Sequence, residues 1–288
     1  MRDFSIVGAG RLGTVLGAAL VRRGWRAEAV FDKDPKAAGE SRDIIGQGRA
    51  TTDIRRPART GAVVFLTVPD DDIGRVAGRL ARAGTRWTGR FVFHGSGLLP
   101  VRVLDPLRKR GASVGSLHPA QSFPDKHAPV RVFKGVTWAI GGDAAAVDVA
   151  GEIVRELSGH AFLLSDRDKP LYHAACSLAS NSLAALEWTA AGLLAGSAMD
   201  EKRAAEVLLP LIQGTLHNVK NLGWKGALTG PVARGDIATI REHLKALGGR
   251  PEVRRVYLSL ARQAVLMAAE RGLAPGRVKA MKRLLGRG

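Results

Sequence analysis

Short apolar runs alternate with amphipathic stretches over the first 164 residues of this chain, and the alternation stops after Ser165. The runs at 3–8, 27–32, 61–68, 90–95, 112–117, 135–141 and 160–164 have the length and composition of strands buried in a parallel sheet. Between them, apolar residues recur at helical spacing over 11–23, 70–83, 99–110 and 143–158. Beyond Ser165 the strand-like runs disappear, and helical periods occupy 168–197, 200–221, 236–248, 251–272 and 275–285. The pattern predicts a sheet wrapped by helices over residues 1–164 and an all-helical domain over 165–288. Pro210 falls inside a helical period and should kink it. The stretch 223–235 reads as a structured loop, with Asp236 as N-cap of the helix that follows, and Gly248-Gly-Arg-Pro251 reads as a turn.

In an open α/β sheet the ligand lies outside the carboxyl ends of the strands, so the residues that end each run are candidates for chemistry. The first run, Phe4-Ser-Ile-Val7, opens into Gly8-Ala-Gly-Arg-Leu-Gly13, and Asp32 closes the second run. This is the spacing of a dinucleotide fingerprint. Gly8 makes the tight turn, Gly10 lets backbone approach a pyrophosphate, and Gly13 lets helix and strand pack closely. The amides of Arg11 and Leu12 at the helix start then face phosphate. Asp32 suits the ribose hydroxyls of NAD, whereas Lys33, with Lys36 and Arg42 near in sequence, suits the 2′-phosphate of NADP. The cofactor is therefore read as NAD(P), with the local positive charge leaning to NADP.

The other strand ends supply Val68-Pro69-Asp70, His94-Gly-Ser96-Gly97 and His118-Pro119. Val68, Pro69 and Ser96 are expected beside the cofactor. Gly95-Ser96-Gly97 lacks the full G-x-S-x-G pattern of a serine hydrolase. His118 is placed to donate to a carbonyl or hold a carboxylate. Lys169, His173, Ser177 and Asn181 follow one another at intervals of four on an Ala- and Leu-rich helix, which puts them on one face. If Lys169 and His173 share a site, each charge lowers the pKa of the other, and burial adds to the effect. Either could be the acid or base. Arg234, in Gly230-Pro-Val-Ala-Arg-Gly-Asp236, could grip a substrate carboxylate or pair with Asp236. Cys176 reads as a small core residue, and no metal site is expected.

Composition narrows the classes. With 45% hydrophobic residues the chain has apolar surface enough for a substantial core, so disorder is excluded. No apolar run long enough to cross a bilayer survives without polar interruption, no secretory signal is read at the amino end, and one cysteine cannot make an internal disulfide. A cytoplasmic, membrane-free protein is expected. The net charge of +18 raises the question of nucleic acid. Twelve Lys or Arg against three acids lie between Arg241 and Gly288, but they alternate with Leu244, Leu247, Val256, Leu260 and Leu284 at helical spacing. That is the solvated face of packed helices, and nucleic acid is not expected as a partner.

Taken together, the motifs resemble bacterial proteins with a Rossmann-like amino-terminal domain and a carboxy-terminal domain of unknown function 2520. The resemblance rests on Gly8-Ala-Gly-Arg-Leu-Gly13, Val68-Pro-Asp-Asp71, Gly115-Ser-Leu-His-Pro-Ala-Gln-Ser-Phe123, Tyr172-His-Ala-Ala175 with Ala179-Ser-Asn181, and Leu228-Thr-Gly-Pro-Val-Ala-Arg-Gly-Asp236. The family is similar in architecture to ketopantoate reductase, 6-phosphogluconate and β-hydroxyacid dehydrogenases, pyrroline-carboxylate reductase and deazaflavin-dependent NADP oxidoreductases. The resemblance implies an α/β Rossmann-like domain followed by an all-α domain like the carboxy-terminal domain of 6-phosphogluconate dehydrogenase. It also implies a cofactor in the first domain, a small-molecule substrate between domains, and a homodimer formed through the helical domain. The β-hydroxyacid relatives carry a catalytic lysine with asparagine four residues on. Here His173 stands four after Lys169, and the asparagine comes at 181. The expected activity is hydride exchange between NAD(P) and a small carbonyl, imine or alcohol. His173 or Lys169 would be acid or base, Asn181 and Arg234 would orient the substrate, and His118 would close the site. The alternative is a sensor that binds NAD(P) without turnover.

Overall fold

A computed structural model describes residues 2–83, 86–196 and 199–286. The chain divides into two compact units, Met1–Ser182 and Leu183–Gly288. The first contains β1 (Asp3–Val7), α1 (Arg11–Arg22), β2 (Arg26–Phe31), α2 (Pro35–Ile45), β3 (Arg49–Thr51), α3 (Arg55–Arg59), β4 (Val63–Leu66) and α4 (Asp70–Arg82). It continues with β5 (Phe91–His94), a 3-10 turn (Val101–Leu104), α5 (Asp105–Arg108), β6 (Ser113–Pro119), a second 3-10 turn (Val130–Phe133), β7 (Thr137–Gly142), α6 (Ala144–Glu156) and β8 (His160–Leu163). It ends with α7 (Lys169–Ser177) and a π-helical turn (Leu178–Ser182).

The strands form one sheet in the order β3-β2-β1-β4-β5-β6-β7-β8. Its first six strands have the doubly wound Rossmann order. Alternation along the strands feeds two cores. Phe4, Ile6, Val63 and Phe65 point to the face covered by α1 and α6, while Val7, Val64 and Leu66 point to the face covered by α4. The pairing from β1 to β6 is parallel, but β7 runs antiparallel to β6, and β8 lies parallel to β7. The sheet is thus parallel-dominated, with one antiparallel pairing among the described residues. The link from β6 to β7, residues 120–136, contains a 3-10 turn but no α-helix, the usual element of a parallel return.

Sequence pattern missed β3, which is three residues long, and the helices α2 and α3. The ends of α2 were nonetheless encoded: the Asp34 carboxylate accepts the Lys36 amide at 2.9 Å, Pro35 opens the helix, and Gly46 closes it at φ 80°. The helix expected over 99–110 is instead the 3-10 turn, which follows Pro100, and the single turn of α5, which has Pro106 in its first positions.

The second unit is helical: α8 (Leu183–Ala195), α9 (Glu201–Gly226), α10 (Gly230–Arg234), α11 (Ile237–Ala246), α12 (Pro251–Glu270) and α13 (Pro275–Leu284). Its core gathers Val232, Ile240, Leu244, Ala261, Val265, Ala268 and Met281. The helix expected over 168–197 is α7, the π turn and α8, and its last residue, Ser197, lies outside the described residues. Backbone dihedrals stay helical through Pro210, and the break comes at Gly223 (φ 72°, ψ 173°). The expected loop at 223–235 is thus partly helix, because α9 resumes past Gly223 and Gly230-Pro231 starts α10. Asp236 does cap α11, accepting the Thr239 amide at 3.1 Å.

Candidate functional site

The glycine turn joins β1 to α1, and sterics decide its residues. Gly8 has φ 109°, and a Cβ there would lie 2.6 Å from the Val68 amide nitrogen. At Gly13 a Cβ would lie 2.4 Å from the Gly8 carbonyl oxygen and from Thr67 Oγ1. Thr67 Oγ1 in turn donates to that Gly8 carbonyl at 2.7 Å. Gly10 is different: the nearest atom to its virtual Cβ is 3.8 Å away, so this position has room for a ligand. No side chain caps α1 and no acid lies in its first turn, which leaves the Arg11 and Leu12 amides without an intrahelical partner. Val68 is half-buried against Gly8, and Pro69, exposed, precedes α4. This cradle fits a dinucleotide pyrophosphate.

Asp32, at the end of β2, accepts the Ala9 amide at 2.9 Å and the Asp34 amide at 3.1 Å. One oxygen thus braces the glycine turn, and the other the loop that follows β2. Lys33 beside it is exposed.

Ser96 follows β5. Its hydroxyl donates to Asp70 at 2.6 Å and accepts the Leu98 and Leu99 amides at 3.1 and 3.0 Å, so its hydrogen-bonding capacity is filled by the protein. The Ser96 amide donates to His94 Nδ1 at 3.2 Å. His94 is buried, and its Nε2 has no partner among the described residues. Burial first, then the charges of Lys169 and His118, bring its pKa down to about 3.

His118 stands at the end of β6. Its Nδ1 lies 2.9 Å from the Tyr172 hydroxyl, and its ring meets His173 edge-on with centroids 6.1 Å apart. Its opposite edge lies over Gly97, where a Cβ would come within 2.9 Å of Cε1 and Nε2. Burial, with the His173 and Lys169 charges against it, lowers its pKa to about 4. His118 is thus a neutral imidazole at pH 7.

A cavity of about 710 Å³ opens on this histidine, lined also by Gln121, Ser122, His173, Ser177 and Asn181. The π turn widens the helix after Ser177, and Ala179, Ser180 and Asn181 line the same cavity as Ser177. Lys169 departs from this group. It is buried, its Nζ donates to the Leu99 carbonyl at 2.9 Å, and the Asp166 carboxylate lies 3.9 Å away. Asp166 itself accepts the Val101 amide at 2.9 Å, so the pair ties the loop after β5 to the start of α7. The Lys169 pKa falls to about 8 through burial, opposed by Asp166 and Asp70; the expected His173 charge is not among the causes.

Arg234 ends α10 in the second unit and is exposed. Its charge helps to hold Asp236 below the usual carboxylate range, behind the hydrogen bonds from Thr239. Tyr172 and Gly97 stood inside segments that sequence reasoning singled out, but neither was given a role. The interval of four from Lys169 picks out His173, Ser177 and Asn181; a step of three leads instead to Tyr172, and a step of four from there to Cys176.

Two family models match, a Rossmann-like domain over residues 2–119 and the domain of unknown function DUF2520 over residues 136–264. The chain pairs a Rossmann-like match with a DUF2520 match. The DUF2520 match begins at the edge of β7, so that domain includes the last two strands of the sheet as well as most of the helical unit. No curated protein matches the sequence. Among solved structures, this chain resembles one from Bacteroides fragilis provisionally named as an NADP oxidoreductase, with 25% identity and TM-score 0.76 over 91% of this chain and 97% of that one. A Thermotoga maritima protein has 24% identity and TM-score 0.73, covering 93% and 99%. The Plasmodium falciparum pyrroline carboxylate reductase with NADP bound, at 13% identity and TM-score 0.59 over 97% and 98%, shares the fold. Among the described residues no helix is long and apolar enough to cross a membrane.

Proposed function

We propose that this chain is an NAD(P)-dependent oxidoreductase that acts on a small carbonyl, imine or alcohol. One observation carries the reading: the glycine turn, Val68-Pro69, the loop with Gly97, and His118 end the adjacent strands β1, β4, β5 and β6 at one sheet edge. Three inter-strand steps of about 4.8 Å separate the turn from His118, which suits a ligand with its phosphates at one end and its reacting ring at the other. The cofactor, when bound, supplies or accepts hydride. The protein's part is to place polar groups on the substrate: His118 and His173 toward the reacting oxygen or nitrogen, Asn181 as an orienting amide. Lys169 holds the loop that carries Gly97.

NADP is the preferred form in this reading. Both Asp32 oxygens are engaged by backbone amides, and Lys33 and Lys36 stand exposed beside it. Titration with NADPH and NADH should give tighter binding of NADPH, narrowed by Lys33→Glu; equal affinities would remove the preference. A panel of carbonyls and imines with bound NADPH tests turnover, and binding without any hydride transfer would make the protein a sensor instead. Arg234 enters as the guanidinium for a substrate carboxylate, and an unchanged KM in Arg234→Gln would withdraw it.

The proposal extends to assembly as a homodimer through the helical unit. Of α9 only Ala204 is buried, while Trp188 of α8 and Leu211 and Trp224 of α9 are 73%, 66% and 76% exposed. An apolar surface of that kind marks an interaction face. Sedimentation of a monomer at micromolar concentration would refute it.

A further inference from the structure

The hydrogen bond between Tyr172 and His118 determines which nitrogen of the imidazole carries the proton. The Tyr172 hydroxyl lies 2.9 Å from His118 Nδ1, and the two rings meet edge to face at 5.5 Å between centroids. Phe162 of β8 also packs against the tyrosine ring, with centroids 5.8 Å apart. Both partners are neutral at pH 7, since burial lowers the histidine pKa to about 4 and raises that of the tyrosine. Between a neutral phenol and a neutral imidazole, the phenol is the better donor and the unprotonated ring nitrogen the better acceptor. The bond then runs from Tyr172 O–H to Nδ1, and the ring proton sits on Nε2. The Cys176 thiol, one turn further along α7, is a second polar neighbour of the hydroxyl and, like burial, keeps the phenol protonated.

The face of the ring on its Nε2 side lies over Gly97, where a Cβ would come within 3.0 Å of Cε1, Nε2 and Cδ2 alike, so glycine lets the imidazole lie against the loop in a histidine that lines the cavity. The charged and titratable groups around the ring are His173, Lys169 and Asp70, with His94 behind it. None of these is bonded to Nδ1 among the described residues. Tyr172 alone has that position.

We infer that Tyr172 is a positioning residue that holds His118 as the Nε2–H tautomer, so that the cavity presents a neutral N–H donor to a carbonyl, carboxylate or imine acceptor. The tautomer is a property of the protein itself; only its use in turnover rests on the function proposed above. It deepens that reading by naming what the substrate must bring to this point, a hydrogen-bond acceptor, and by excluding a cationic group there.

Long-range ¹H–¹⁵N correlation spectra of the full chain labelled with ¹⁵N-histidine, recorded at pH 7 without nucleotide, read the tautomer directly, with His118→Gln identifying the signal. The expected result is Nε2–H in the wild type. Tyr172→Phe, which keeps the ring and removes the hydroxyl, should lower the Nε2–H to Nδ1–H ratio by roughly tenfold or less, the worth of one hydrogen bond. An Nδ1–H or doubly protonated His118 in the wild type overturns the inference without any variant, as does an unchanged tautomer in Tyr172→Phe. If the panel of carbonyls and imines yields a substrate, Tyr172→Phe should lower kcat by on the order of tenfold with KM for NADPH unchanged, and should cost nothing further in a His118→Gln background. Absence of NADPH binding would defeat the proposed function and leave the spectra as readable as before.

Discussion

The glycine turn after β1 and the imidazole cluster at the end of β6 stand on the same edge of one sheet and are built from different parts of the chain. At the turn, the backbone of Thr67 and Val68 after β4 comes so close that Gly8 has no space for a Cβ, and Gly13 is closed off by the Gly8 carbonyl and Thr67 Oγ1. At the cluster, β6 supplies His118, the loop after β5 supplies Gly97, and α7 supplies Tyr172 and His173. The first site is specified by excluded volume, the second by hydrogen bonds among side chains. Excluded volume tolerates no substitution but is blind to pH. A side-chain network tolerates some changes of shape but responds to protonation.

The sharpest way to break this comparison is to remove the imidazole. His118→Ala should lower kcat about 10²- to 10⁴-fold while leaving the Kd for NADPH within about twofold, because the turn does not depend on it. A matching loss of nucleotide affinity in a titration would mean that the two sites are one. Acid should separate the sites next. The unfolded chain protonates histidine near 6.5, whereas folded His118 and His94 hold off until about 4 and about 3. Between those values the unfolded state binds more protons, so stability falls as pH drops from 6.5 toward 3. Urea unfolding at pH 7, 5 and 4 should register a loss on the order of a few kcal/mol, smaller in His118→Gln. A flat profile would mean that these rings are not buried as neutral groups.

Within the turn, Gly13→Ala should cost about 1–3 kcal/mol of stability, since neither the Gly8 carbonyl nor Thr67 can easily yield. Gly10→Ala should leave thermal unfolding within about 0.5 kcal/mol of wild type, because its neighbourhood is open, and weaken NADPH binding. Equal effects of the two on stability would erase the distinction between packing glycine and approach glycine. The smallest effect is expected from Gly97→Ala, whose new methyl displaces a movable ring rather than backbone. A fall in kcat of about tenfold, with unfolding hardly altered, is expected if His118 placement matters to turnover.

Legibility in the sequence followed the same division. The turn was readable because strand, glycines and helix are contiguous, and the sheet-then-helices order because hydrophobic period changes at one place. Asp32 was a candidate for ribose from its distance along the chain; that it also accepts the Ala9 amide, a contact set by the register of β2 against β1, was not legible there. Lys169 and His173 shared a stripe by spacing. Burial separated them, because the first turn of α7 packs under the loop after β5 and places the ammonium against the Leu99 carbonyl. Tyr172 stood next to His173 in a motif already singled out, and nothing local in its sequence revealed that its hydroxyl meets a histidine 54 residues earlier.

What the sequence alone determined is therefore the set of properties that depend on near neighbours: element periods, caps, a glycine turn that only glycine can make, and the candidates at strand ends. The tertiary structure decided which of those candidates touch, which way β7 runs, and the protonation state of each buried group. The physical reason is that backbone sterics act over a few residues, whereas burial and hydrogen-bond partnership depend on elements that meet only when the chain has folded.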